Sequence, residues 1–198
     1  MNRLADKLQN YHVILGSASP RRRELLAGLD IPFEVVVKDT NECVNKSLPL
    51  EQIPRSIAQQ KFSAFLPELR ESDLLITADT LVFCGKTIAG KPKSEDDAKA
   101  LLKMLSGREH TVVTGVCVGT KQKQTSFYDV TTVEFETLSD AEIDYYIETY
   151  KPFDKAGAYG VQEWIGYVAI KKITGSYYNV MGLPVHRLYR TLLEFVEN

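Results

Sequence analysis

The sequence predicts a mixed α/β fold, with elements of the α+β type, around a mixed β-sheet flanked by helices, and three observations point to it. The run YHVILGSA is a buried strand that leads straight into a helix starting at Pro20, and IPFEVVV follows as a second strand. Two β-rich runs, REHTVVTGVCVGT and TSFYDVTTVEFETL, flank the polar turn KQKQ and read as a hairpin. Helical patterns are interleaved with these strands along the chain.

In order, Ser19 is a good N-cap for the first of these helices, Pro20 suits its first position, and Leu25, Leu26 and Leu29 form its apolar face. The polar loop KDTNECVNKSLPLEQ leads to the helix IPRSIAQQKFSAFL, where Ile57, Lys61 and Ala64 recur at helical spacing. LLITADTLVFCGKTIAG reads as one long apolar strand interrupted by a single acid, Asp79. SEDDAKALLKML is a helix with Ser94 and Asp97 at capping-box spacing and Gly107 as its stop. After the hairpin, Ser139 and Glu142 open another helix that ends near Tyr150, ahead of Pro152. The irregular DKAGAYGVQ precedes a strand YVAIKKI, a loop TGSYYNVMGLP and a last helix from about Pro184 to Phe195. No repeat, low-complexity segment or linker forces a cut, so residues 1–198 read as a single domain.

Composition narrows the function classes. A chain of 198 residues can bury a substantial core without disulfide staples, and a net charge of −2 with interspersed signs gives no footprint for nonspecific nucleic-acid binding or a membrane surface. Cys43, Cys84 and Cys117 form no CxxC pair and fit free structural thiols of a reducing compartment. MNRLADKLQNYH is too polar for a signal peptide, and no apolar run approaches the ~20 residues of a membrane span. A cytoplasmic protein is expected.

The chemistry-bearing residues begin with an anomaly. SASPRRRELL places Arg21, Arg22 and Arg23 in the first turn of a helix, where the macrodipole disfavours cations by about 0.3–1 kcal/mol. Either these are solvated surface arginines, or an anion held by guanidinium forks and free N–H groups removes the conflict. Asp79 raises the converse question, since a carboxylate inside a strand apolar on both sides needs a partner, a hydrogen bond or a metal. It reads as a strand-end aspartate that caps a loop or pairs with a structural lysine, or as a metal ligand or general base with Glu42 as a second carboxylate. Lys91 in AGKP and Lys61 on its helix supply matching cations; each alone reads as surface. Together with Arg21 and Arg22 they suit a polyphosphate substrate and a divalent metal. In DKAGAYGVQ, glycines permit close approach to a ligand, Asp154 and Lys155 bring charge, and Gln162 offers a donor and an acceptor to a pyrimidine edge; the same segment also reads as a structural turn. No Walker loop, GxGxxG, GxSxG or histidine metal spacing is present.

SASPRRRELL, ADT followed by AGKP, LSGREHTVVTGV, DKAGAYGVQ and TGSYYNVMGLP occur in the order and approximate spacing of the Maf family of nucleoside triphosphate pyrophosphatases, which the chain resembles from about Val13 to Leu193. Within that family Arg21 with Arg22, Thr80 and Gln162 resemble the subgroup acting on dTTP and UTP. The resemblance implies an elongated two-lobed fold like that of the inosine triphosphate pyrophosphatases, with the site in a cleft, and hydrolysis between the α and β phosphates of UTP, dTTP or a modified pyrimidine nucleotide. It implies Asp79 as proton acceptor, Lys61 and Lys91 with Arg21 and Arg22 around the phosphates, and a divalent metal, Mg²⁺ or Mn²⁺, near Asp79 and Glu42. Arg22, Thr80 and Gln162 would select the base, and Ser19 and Lys155 complete the substrate-binding set. The family is often dimeric, which leaves a homodimer as a candidate assembly. Its association with septum inhibition supplies a second reading, a nucleotide-sensing regulator that binds and hydrolyses little. This chain departs from the pattern at Asn41, where a second acid is common, and at Glu163 and Trp164, where glycine is usual.

Overall fold

The computed structural model describes residues 3–45 and 47–197; Met1 and Asn2 of the polar N-terminal stretch, Lys46 of the polar loop and Asn198 lie outside them. The chain divides into two compact units, one made of Met1–Asp79, Thr114–Asp129 and Gly182–Asn198, the other of Thr80–Val113 and Val130–Met181. The strands form a mixed sheet, as the sequence predicts, in the order β2-β1-β3-β5-β6-β7 with β4 on β3. Their ranges are β1 His12–Gly16, β2 Glu34–Val36, β3 Asp73–Cys84, β4 Thr87–Ala89, β5 Glu109–Gly119, β6 Gln124–Phe135 and β7 Ile170–Thr174.

In the first unit, β1 runs parallel to both neighbours, with Ile14 opposite Glu34 of β2 and Leu75 of β3. Parallel strands covered on both faces carry continuous apolar runs, and Val13, Ile14 and Leu15 are all buried. Between β1 and β2 lies α2, Pro20–Ala27, whose Ser19 cap accepts from Arg22 N–H. Helix α3, Ile53–Phe65, turns Ile57, Ala58, Phe62 and Phe65 inward. Its core cluster joins Ile14, Ala58, Phe62, Phe65, Leu69, Leu75 and Cys117. Gly115 of β5 makes that packing close: a Cβ there would stand 2.1 Å from Arg55 N on α3, so no other residue type fits. The short α1, Arg3–Leu8, which the sequence pattern did not announce, packs on the C-terminal α8, Val185–Glu197.

In the second unit, α4, Glu95–Leu105, and α5, Asp140–Tyr150, pack together. The α5 capping box is complete, whereas at α4 the Asp97 carboxylate turns to Lys93 N–H and only the Ser94 half forms. Buried His110, Phe135 and Tyr159 meet edge to face. Burial pushes the imidazole down to about 4, so His110 is neutral, and its Nε2 lies 2.8 Å from Tyr159 Oη.

Several expected boundaries differ. The long strand LLITADTLVFCGKTIAG is a hairpin, since Gly85 takes φ 58° and turns β4 back onto β3. IPFEVVV yields only the three residues of β2. YVAIKKI is split: α6, Trp164–Ala169, takes its first part and β7 begins at Ile170. The loop TGSYYNVMGLP contains α7, Tyr177–Met181, because Asn179 is buried and bonds Val112 O and Thr131 Oγ1, tertiary partners invisible to local pattern. Burial raises the Cys117 thiol to about 12, which keeps it inert, and all three cysteines are free as expected.

Candidate active site

The acid of β3 finds its partner on α3. Thr77 and Asp79 lie two residues apart on the strand and so share a face. Thr77 Oγ1 donates to Ala58 O at 2.7 Å, and Lys61, one helical turn further along α3, donates from Nζ to Asp79 Oδ1 at 2.8 Å. The same ammonium lies 3.1 Å from Glu42 Oε1. One cation thus joins two carboxylates, with the Lys61 and Asp79 side chains only 16% and 13% exposed. Burial raises the Asp79 carboxyl above the usual carboxylate range, opposed by the charges of Lys61 and Arg22. Burial in turn lowers the Arg22 guanidinium from its ordinary value, opposed chiefly by Asp79.

Glu42 sits in a loop without regular structure, yet two contacts hold it. Thr40 Oγ1 donates to Glu42 Oε1 at 3.1 Å, and the Gln60 amide bonds both backbone groups of Cys43, accepting from N–H at 2.9 Å and donating to C=O at 3.0 Å. Gln60 and Lys61 are consecutive on α3, so one helix both fixes the loop and supplies the cation. Thr40, Gln60 and Thr77 carry no sequence signal beyond being polar.

Arg22 answers part of the arginine question. It donates from Nε to Gly182 O at 2.8 Å, and from Nη1 to Ala78 O at 2.9 Å and Ser17 Oγ at 3.4 Å. The guanidinium therefore ties α2 to the strand carbonyl that precedes Asp79, a positioning role the sequence did not reveal. Ser19 serves as the cap, Arg21 is half-buried in the same turn, and Arg23 is exposed. An open pocket of about 430 Å³ lies beside this turn, lined by Ser17, Ser19, Arg23, Glu24 and Val35 among others. First-turn N–H groups, arginines and a pocket together suit a phosphate-sized anion.

The remaining expected residues belong to the second unit. Thr80 follows Asp79 on β3 and is half-buried. Lys91 is exposed, in a loop pinned where Gly157 N–H donates to Gly90 O at 3.1 Å. Lys155 is buried, and its Nζ lies 2.8 Å from Asp154 Oδ1 and 3.1 Å from Glu163 Oε1, so its charge is met within the protein. Gln162 Oε1 is buried and has no hydrogen-bond partner among the described residues. A buried acceptor left unpaired costs about 1–3 kcal/mol, which a ligand donor would recover.

Magnesium is held through one or two carboxylates together with substrate phosphate oxygens. Asp79 and Glu42, already drawn to a single cation, fit that donor set; no group of three His, Cys, Asp or Glu side chains suited to a metal occurs among the described residues.

The family profile described as "Maf-like protein" matches residues 12–195, through segments of both units. The chain belongs to the Maf-like family. It is 50% identical over 198 residues to the dTTP/UTP pyrophosphatase of Porphyromonas gingivalis W83, covering 98% of this chain and 100% of that one. It is likewise 50% identical over 190 residues to the dTTP/UTP pyrophosphatase of Phocaeicola vulgatus, covering 96% and 98%. Among solved structures, the Staphylococcus aureus Ham1 protein aligns at TM-score 0.49 and 15% identity over 92% of this chain and 98% of that one. Among the described residues of this family member no helix is long and apolar enough to cross a membrane.

Proposed function

We propose that this Maf-like protein hydrolyses dTTP and UTP, or a modified pyrimidine triphosphate, to the monophosphate and pyrophosphate. The observation that carries the reading is the Asp79–Lys61–Glu42 arrangement, in which a buried acid is kept beside a cation and a second acid. An acid of merely structural use would need one partner, whereas this one shares its partner with Glu42.

In the proposed reaction Asp79 accepts a proton from water, and its raised pKa makes it a better acceptor than an exposed aspartate. The water oxygen bonds to the α phosphorus in line with the leaving group, the bond from that phosphorus to the bridging oxygen breaks, and pyrophosphate departs. Lys61 keeps Asp79 ionised and oriented. The α2 turn with Arg21 offers donors to phosphate oxygens, and Lys91 is assigned the same role. Two acids and two bases, Asp79, Glu42, Lys61 and Arg22, leave their cluster near neutral, with no surplus positive charge for a triphosphate. Asp79 and Glu42 would hold a divalent cation, which would supply that charge and polarise the phosphate.

For the base, the buried Gln162 Oε1 suits the N3–H of uracil or thymine, and its amide N–H₂ suits a neighbouring carbonyl; cytosine offers an acceptor at N3 and is refused. Arg22 and Thr80 are assigned to the same selection. The test is to incubate the protein with a panel of nucleotides and Mg²⁺ or Mn²⁺ and identify products. UMP and dTMP with one pyrophosphate each are expected. Binding without product would overturn hydrolysis and favour the nucleotide-sensing alternative, and release of inorganic phosphate alone would overturn the site of cleavage.

A further inference from the structure

Glu163 stands where the family resemblance leads one to expect glycine, and the structure gives its carboxylate two partners. Its Oε1 lies 3.1 Å from Lys155 Nζ, and its Oε2 accepts from Tyr146 Oη. That same tyrosine oxygen accepts from Gly160 N–H at 3.0 Å. Gly160 has no Cβ for a reason: one would stand 2.8 Å from the Glu163 carboxyl carbon. Glu163 N–H also donates to Gly160 O at 3.0 Å, so Tyr146, Gly160 and Glu163 form a closed polar ring, and Lys155 joins it through the Glu163 carboxylate. The network ties the beginning of the segment 155–163, its middle and its end to helix α5.

The segment needs such a tie. It holds no regular structure beyond a single turn, and it includes two residues of positive φ, Gly157 at 73° and Ala158 at 58°, the second unfavourable for a residue with a side chain. The network is shielded, with Tyr146 fully buried, Lys155 7% exposed and the Glu163 side chain 18% exposed. A polar network of this type is worth most when every member is satisfied, and loses most when one is removed. Between ring members Gly160 and Glu163 lies Gln162, whose buried Oε1 awaits a donor. An unpaired acceptor selects its ligand only if it cannot swing to another partner.

We propose that Glu163 is a positioning residue for base selection: through Lys155 and Tyr146 it fixes the segment so that the Gln162 amide keeps one orientation toward the base. This deepens the reading of Gln162 given above and rests on it. Lys155, expected from sequence to meet the substrate, then acts inside the network as the cation that holds Glu163.

The test compares UTP with CTP by kcat/KM, and UMP with CMP by binding. Trp164, the single tryptophan of the chain, follows Glu163 directly and meets Tyr145 edge to face, so its fluorescence reports binding at this segment without turnover. For Glu163→Ala the preference for UTP over CTP is expected to fall about tenfold, carried by KM for UTP with kcat within about twofold, and the UMP preference to fall in parallel. Glu163→Gln, which still accepts from Tyr146 but cannot neutralise Lys155, should recover part of the preference. A solely structural role would lower thermal stability and slow both nucleotides alike, so an unchanged ratio in folded variants overturns the proposal. Should Glu163→Ala not fold, Tyr146→Phe removes one oxygen from the same ring and decides by the same ratio. Wild-type protein without any preference for UMP over CMP would instead overturn the Gln162 assignment, and the variants are then not the cause.

Discussion

Replacing Lys61 with methionine keeps the length of the side chain and removes the charge that joins Asp79 to Glu42. The ammonium is 2.8 Å from one carboxylate and 3.1 Å from the other. At an effective dielectric of about 20, a pair of unit charges at the shorter distance attracts by roughly 6 kcal/mol. Part of this is returned, because the lysine no longer has to shed water, and Glu42, whose side chain is 38% exposed, is partly screened by solvent. What remains is the cost of leaving Asp79 ionised in a nearly closed site, for which broken buried pairs lose about 3–5 kcal/mol. The lower end, about 3 kcal/mol, is expected here, since Arg22 still offsets some of the charge. The assay is urea unfolding near neutral pH with chelator present, so that no divalent cation replaces the ammonium. Asp79→Asn in the Lys61→Met background removes the stranded charge and should restore about 2 kcal/mol, a coupling that a double-mutant cycle reads directly. Additive effects within about 0.5 kcal/mol would refute the claim that the lysine stabilises the fold through this acid.

Asp79→Asn alone should lower turnover of UTP by about a hundredfold or more, as removal of a general base does, while Trp164 fluorescence still reports UMP binding. Normal turnover would refute the assignment. Gly115→Ala forces a methyl into the α3 backbone, so a loss of at least about 3 kcal/mol is expected, with activity falling beyond the folded fraction because Lys61 moves with the helix; calorimetry and kinetics on the soluble protein check this. His110 gives a pH dependence. Its folded pKa of about 4 lies below the ordinary value of 6.5, so the unfolded chain binds a proton that the native state refuses, and stability present above about 6.5 is lost as pH falls toward 4. From pH 7.5 to 5 that amounts to about 2 kcal/mol, or about 4–8 °C in Tm for a chain of this size. The loss should be absent from His110→Phe, whatever that variant's stability at pH 7.5.

Much of the local structure was legible. Ser19 before Pro20 starts α2, Ser139 with Glu142 starts α5, and the alternation of apolar runs places the sheet strands, because caps and periodicity act between residues a few positions apart. The Gly85 turn is a local departure, and two others have a long-range cause. Asn179 sits in a helix rather than a loop since its amide reaches Val112 and Thr131, and α6 takes residues that read as strand; both depend on partners tens of residues away or on packing. The site shows the same division. A lone acid in an apolar strand is visible in sequence as an unpaid electrostatic cost, and three arginines at a helix start as its opposite.

By itself, then, the order of residues determined which groups are out of place in their local setting: Asp79 in its strand, and Arg21 and Arg22 in their first turn. Only the tertiary structure decided how each is compensated. Lys61 reaches Asp79 because Gly115 lets α3 lie close against β5, and Arg22 is bound by the carbonyls of Ala78 and Gly182. Glu163 is met by Lys155 and closes a ring with Tyr146 and Gly160. The physical reason is one of range. Helix caps and strand alternation are set by neighbours along the chain, whereas the energy of a buried charge depends on distances of a few ångströms between groups that the chain itself does not bring together.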